Sequence, residues 1–89
     1  MKHTQLLLFR NAILLQLNAA YPASLPIETL SQGLMLSGYP NETPSALREI
    51  HYLKEKGMLT SKPAFLNPAT LQYVLTATGE DYLRTQALI

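Results

Sequence analysis

The 89-residue chain contains no cysteine, which excludes disulfides and thiolate-held metals. Charge is scarce too: 15% of residues are Asp, Glu, Lys or Arg, against roughly 25% in ordinary globular domains. Long apolar runs are missing. A membrane helix needs about 20 mostly apolar residues, whereas Leu6-Leu7-Leu8-Phe9 is soon interrupted by Arg10, Asn11, Gln16 and Asn18. A charged start before that run has the faint outline of a signal peptide, but the polar residues recur at helical intervals. The expectation is a soluble, cytoplasmic protein with no membrane partner. Catalytic signatures are also lacking. There is no Gly-rich phosphate loop, no paired-histidine motif and no cluster of carboxylates inside an apolar pattern. Glu80 and Asp81 are adjacent and suit the positive end of a helix dipole. The chain is therefore expected not to be an enzyme, and to carry no cofactor and no metal.

Apolar residues, at 47%, are plentiful enough for a core. The length fits one domain, residues 1–89. A small domain poor in charge often hides apolar surface in a partner, so a homodimer is expected. Formal net charge is +1, from seven basic and six acidic residues. That is a weak footprint for a nucleic-acid binder, where basic patches are usual.

Periodicity divides the chain into six elements. From residue 3 to 20, Leu6, Phe9, Ile13, Leu14 and Leu17 recur at steps of three and four, the spacing of an amphipathic helix. Tyr21-Pro22 ends it, because the residue before proline is pushed out of helical geometry. After a loop over 21–25, Pro26 suits a first helical position. Ile27, Leu30, Leu34 and Met35 supply the stripe of the second helix. Gly38 is its left-handed stop, and Gly33 inside it marks either close packing of a neighbouring helix or a bend. Thr43-Pro44 reads as a cap followed by a first-position proline. The third helix spans about 43–56, with Ala46, Leu47, Ile50 and Leu53 inward and Gly57 as its stop. Residues 58–62 and 71–75 read as two strands joined by a long tip. Thr78 caps a last helix, with Asp81 in the capping-box position. Tyr82, Leu83 and the Gln86-Ala87 pair face inward.

The run Leu53-Lys54-Glu55-Lys56-Gly57-Met58-Leu59 resembles the end of the recognition helix and the first wing strand of MarR-like and PadR-like winged-helix transcription regulators. The run Tyr73-Val74-Leu75-Thr76-Ala77-Thr78-Gly79-Glu80-Asp81-Tyr82-Leu83 is similar to their second wing strand and following helix. Together the resemblance covers about residues 27–83. It implies an α+β, mostly α fold: a winged helix-turn-helix of three helices, a two-stranded β wing and a C-terminal helix. It also implies double-stranded DNA as partner and the first and last helices as the dimer elements. Leu6, Leu7, Leu8 and Phe9 exceed the needs of one core-facing stripe, and Leu88-Ile89 ends the chain with two large apolar residues. Either a partner covers these or the tail frays.

In that architecture the N-terminal part of the recognition helix enters the major groove. Packing Ala46, Ile50 and Leu53 inward turns Ser45, Arg48 and Tyr52 outward, with His51 and Glu55 flanking. Asn41 and Thr43 stand at the helix entrance, where free N–H groups suit a phosphate. Arg48 has the donors for a guanine edge. Its alternative is pairing with Glu42, Glu49 or Glu55 on an ordinary solvated face. Tyr52 either meets a phosphate or partner, or packs against the wing. His51, with only distant His3 for company, reads as a surface or half-buried side chain. Lys62 is the basic residue of the wing. Beyond it, Phe65 and Leu66 replace the cations expected where a wing enters a minor groove. They either fold back onto the core or form an exposed tip for a protein partner.

Residues 43–70 hold four basic side chains (Arg48, Lys54, Lys56, Lys62) against two acidic ones (Glu49, Glu55). Since phosphate neutralisation drives much of duplex affinity, this balance implies modest, salt-sensitive binding. Lys2 and Arg10 add to it if the first helix lies near the backbone. Two functions remain from these residues. One is a small dimeric transcriptional regulator reading DNA with its third helix. The other is an interaction module or assembly subunit that does not bind DNA.

Overall fold

A computed structural model of the chain describes residues 3–39 and 43–89, with the side chains of residues 43 and 44 outside the description. Four helices and a three-stranded antiparallel sheet make a mostly helical α+β protein. The order is α1 (His3–Ala20), β1 (Leu25–Pro26), α2 (Ile27–Leu36), α3 (Thr43–Glu55), β2 (Leu59–Pro63), β3 (Leu71–Leu75) and α4 (Ala77–Thr85). No described helix is long and apolar enough to cross a membrane.

One core holds these elements together. Phe9, Ile13, Leu14 and Leu17 of α1 are wholly buried, against Leu30 and Leu34 of α2, Ala46, Ile50 and Leu53 of α3, and Leu83 of α4. Each large apolar side chain so enclosed contributes roughly 1.5–3 kcal/mol. The helical spacing of these residues is what turns them to a single side. Leu47 departs from the expected inner face and is 41% exposed. It stands one step round the helix from Ala46, too far to reach the core. Met35, Gln86 and Ala87 are also exposed rather than inward.

The sheet contains a strand that periodicity missed. Leu25 and Pro26, expected as loop and first helical position, form β1 and pair with Tyr73 and Gln72 of β3. Pro26 is extended, with φ −75° and ψ 164°, and stands just before α2. β3 lies centrally, with β2 on its other side in the register Leu59↔Leu75, Ser61↔Tyr73 and Pro63↔Leu71. Ser24 donates a 2.5 Å hydrogen bond to Gln72 Oε1 beside β1.

Two glycines serve close approach. At Gly33, a Cβ would fall 1.9 Å from Oε1 of Gln16, the α1 side chain that donates to the Leu30 carbonyl at 3.2 Å. Close packing, not a bend, explains that glycine. At Gly79, a Cβ would fall 2.0 Å from the Met58 carbonyl oxygen. The helix α4 begins two residues earlier than expected: Thr76, not Thr78, is its cap, accepting from Gly79 N at 3.1 Å. Thr76 also donates to the Gly57 carbonyl at 2.5 Å, which pins it at the hairpin base.

Candidate nucleic-acid interface

The third helix presents two differently built sides. Its side toward α1 is closed by charge. Arg10 Nε donates to Glu49 Oε1 at 2.8 Å, with the two side chains 22% and 11% exposed. The Arg10 guanidinium also lies 3.8 Å from the centre of the Tyr52 ring. A nearly buried carboxylate is tolerable only when paired, and loss of one partner would strand the other. The contact therefore fixes α3 against α1. Two expectations are corrected by it. Arg10 is committed to Glu49 and Tyr52 and does not supply a loose cation. Tyr52 packs under Arg10 of α1, not against the wing.

Away from the core, α3 carries Arg48, His51 and Glu55 in solvent. His51 Nε2 and Glu55 Oε1 are 2.9 Å apart, one helical turn from each other, with both side chains largely exposed. Arg84 pairs with Glu80 at 2.6 Å on α4. Arg48 is different: among the described residues it has no ion pair, neither with Glu49, which belongs to Arg10, nor with Glu55, which faces His51, while Glu42, the third expected partner, lies outside the described residues. Ser45 is half-buried on the same helix. Ser45, Arg48 and Tyr52 share the wall of an open cleft of about 430 Å³ with Leu6, Arg10 and Glu49. The structure thus brings three of the expected contact residues to one rim.

Others lie elsewhere. Lys62 is exposed on β2 opposite Gln72, remote in register from the cleft. Asn41 falls outside the described residues. Thr43 opens α3, but its side chain is likewise outside them. On the sheet side of α3, Lys54 Nζ donates to Ser61 Oγ at 2.7 Å and ties the helix to β2. A smaller cleft there, about 210 Å³, is bounded by Leu47, His51, Lys54 and Leu71.

Glu49 and Arg10 were missed as a pair by sequence reasoning. The available signal was that Glu49 lies one turn before Leu53 and beside Ile50, where a charge requires a partner. Nothing in the sequence names Arg10 as that partner. Among the described residues, no group of three or more His, Asp or Glu side chains is placed to hold a metal. No protein-family model, curated protein or solved structure matches the chain.

Proposed function

We propose that the chain is a winged-helix domain that binds duplex DNA, with α3 as its reading helix, and acts as a small transcriptional regulator. The element order supports the winged-helix reading: helix, short strand, two helices, hairpin, helix, with β3 between β1 and β2. The observation that carries the DNA reading is Arg48. It is the one described arginine with no ion pair to another described residue, and it sits on the solvent side of α3. A guanidinium on the solvent side of a helix is suited to a phosphate or a guanine edge. Ser45 and Tyr52 extend the same rim with hydroxyl groups. A second copy is the proposed partner along α1 and the chain end, where Leu7, Leu8, Leu88 and Ile89 are exposed.

The test is binding to a mixed-sequence duplex across a salt series. Binding is expected at low salt and falls steeply as salt rises. Arg48→Ala is expected to weaken it and to lower the salt slope by about 1 if the contact is to phosphate. Unchanged binding by that variant would remove α3 as the reading helix. Absence of low-salt binding would overturn the DNA reading. The interaction-module reading would then stand, with exposed Leu47 and Leu71 beside α3 as its docking residues.

A further inference from the structure

A single guanidinium on α1 holds two positions of α3. Arg10 donates from Nε to Glu49 Oε1 at 2.8 Å and lies over the Tyr52 ring, 3.8 Å from its centre. Glu49 and Tyr52 are three residues apart, so they are neighbours on the helix surface. One contact follows an N–H bond and the other covers a ring face. Together they oppose both rotation of α3 about its axis and sliding along α1. Apolar contact resists such motions less, because it is non-directional.

The N-terminal half of α3 depends most on this hold. Ile50 and Leu53 anchor the second half in the core, whereas Ala46 brings only a methyl group to it and Leu47 is exposed. The bond from Lys54 to Ser61 also lies toward the C-terminal end. Ser45 and Arg48 belong to the thinly anchored half and line one cleft with Arg10, Glu49 and Tyr52. A helix with its side chains is about 10–12 Å across, so a turn of about 20° moves its rim by roughly 2 Å. Hydrogen-bond distances tolerate only about 0.5 Å. Stability is a poor reason for the charged pair, since exchanging a buried ion pair for apolar residues of similar volume is often neutral or stabilising. Leu6 and Phe9 line the same cleft and would adjoin such residues. What the charged pair supplies beyond an apolar one is direction.

We propose that Arg10 and Glu49 are positioning residues that set the rotation of α3 at which Arg48 faces a duplex. The proposal rests on the DNA-binding reading above. Neither residue touches DNA in it: Arg10 acts through Glu49 and Tyr52, and it neutralises a carboxylate that would otherwise repel phosphate beside Arg48.

The test is a mutant cycle on the full-length chain. Binding is read at low salt from the anisotropy of an end-labelled mixed-sequence duplex, and Tm from circular dichroism. The pair replacement Arg10→Met, Glu49→Leu is expected to keep the parent Tm or raise it. It is expected to bind about tenfold more weakly, the size of one lost directed contact. Arg48→Ala weakens binding in the parent but is expected to change little in that background, because the guanidinium is already misdirected. Additive losses would overturn the proposal and leave Arg48 an independent contact. Parent-like binding by the pair replacement would overturn it too. Arg10→Lys keeps the charge without the planar fork and is expected to lose binding as the pair replacement does. Parent-like binding by Arg10→Lys would reduce Arg10 to a plain cation and remove its positioning role. If the pair replacement fails to fold, Arg10→Lys decides alone. A parent chain that binds no duplex at low salt would overturn the DNA reading and the positioning role together.

Discussion

The two ends of the β2–β3 hairpin are built on opposite terms. At its base the chain is enclosed. Thr76 N donates to the Met58 carbonyl at 3.2 Å, Thr76 Oγ1 bridges the Gly57 carbonyl and the Gly79 amide, and Gly79 is pressed against Met58. At its tip, five strand residues away, Phe65 and Leu66 touch almost nothing. The residues at the base answer to packing and hydrogen bonding within the fold. Those at the tip answer to no internal contact. The contribution of the hairpin to stability is therefore concentrated at its base.

The largest expected effect is at the base. Gly79→Ala puts a methyl group 2.0 Å from a backbone carbonyl that cannot rotate away. Overpacking of this kind costs about 3 kcal/mol, which in a domain of this size lowers Tm by more than roughly 10 °C. Thermal unfolding followed by circular dichroism measures it. A variant as stable as the parent would show that α4 slides freely on the hairpin base, and the contrast between the two ends would fail. A smaller effect is expected for Thr76→Ala, about 1 kcal/mol, through loss of the cap to Gly79 N. Thr76→Ser keeps the hydroxyl and is expected to restore most of that loss. If serine fails as badly as alanine, the methyl group and not the hydrogen bonds holds the corner.

These contacts also show what a single sequence makes legible. Periodicity locates α1 and α3 because their apolar residues recur at helical steps and the burial follows. Gly38 and Gly57 punctuate the helices as expected, at φ +89° and +76°. Contacts made across long sequence separations are the ones that escape. The two-residue β1 has no period of its own and exists only because Tyr73 and Gln72 lie opposite. Thr76 outcompetes Thr78 as a cap because the Gly57 carbonyl is there to receive its proton, a fact of the hairpin and not of the helix. Within the candidate site, the outward placement of Arg48 follows from the helix face alone. The Arg10–Glu49 pair, which fixes that face against α1, spans 39 positions and leaves no local mark.

The smallest expected effect sharpens the comparison most. Replacing both Phe65 and Leu66 by alanine removes a large apolar area that is already in water, so the folded state loses no burial. Surface changes of this kind stay within about 0.5 kcal/mol. Chemical denaturation of the double variant is expected to give the parent midpoint, with solubility unchanged or improved because an exposed apolar pair is gone. A loss above about 1 kcal/mol, a value outside the usual surface range, would mean that the tip spends much of its time seated on the core or against a second copy. The hairpin would then be bound at both ends, and the contrast between them would disappear.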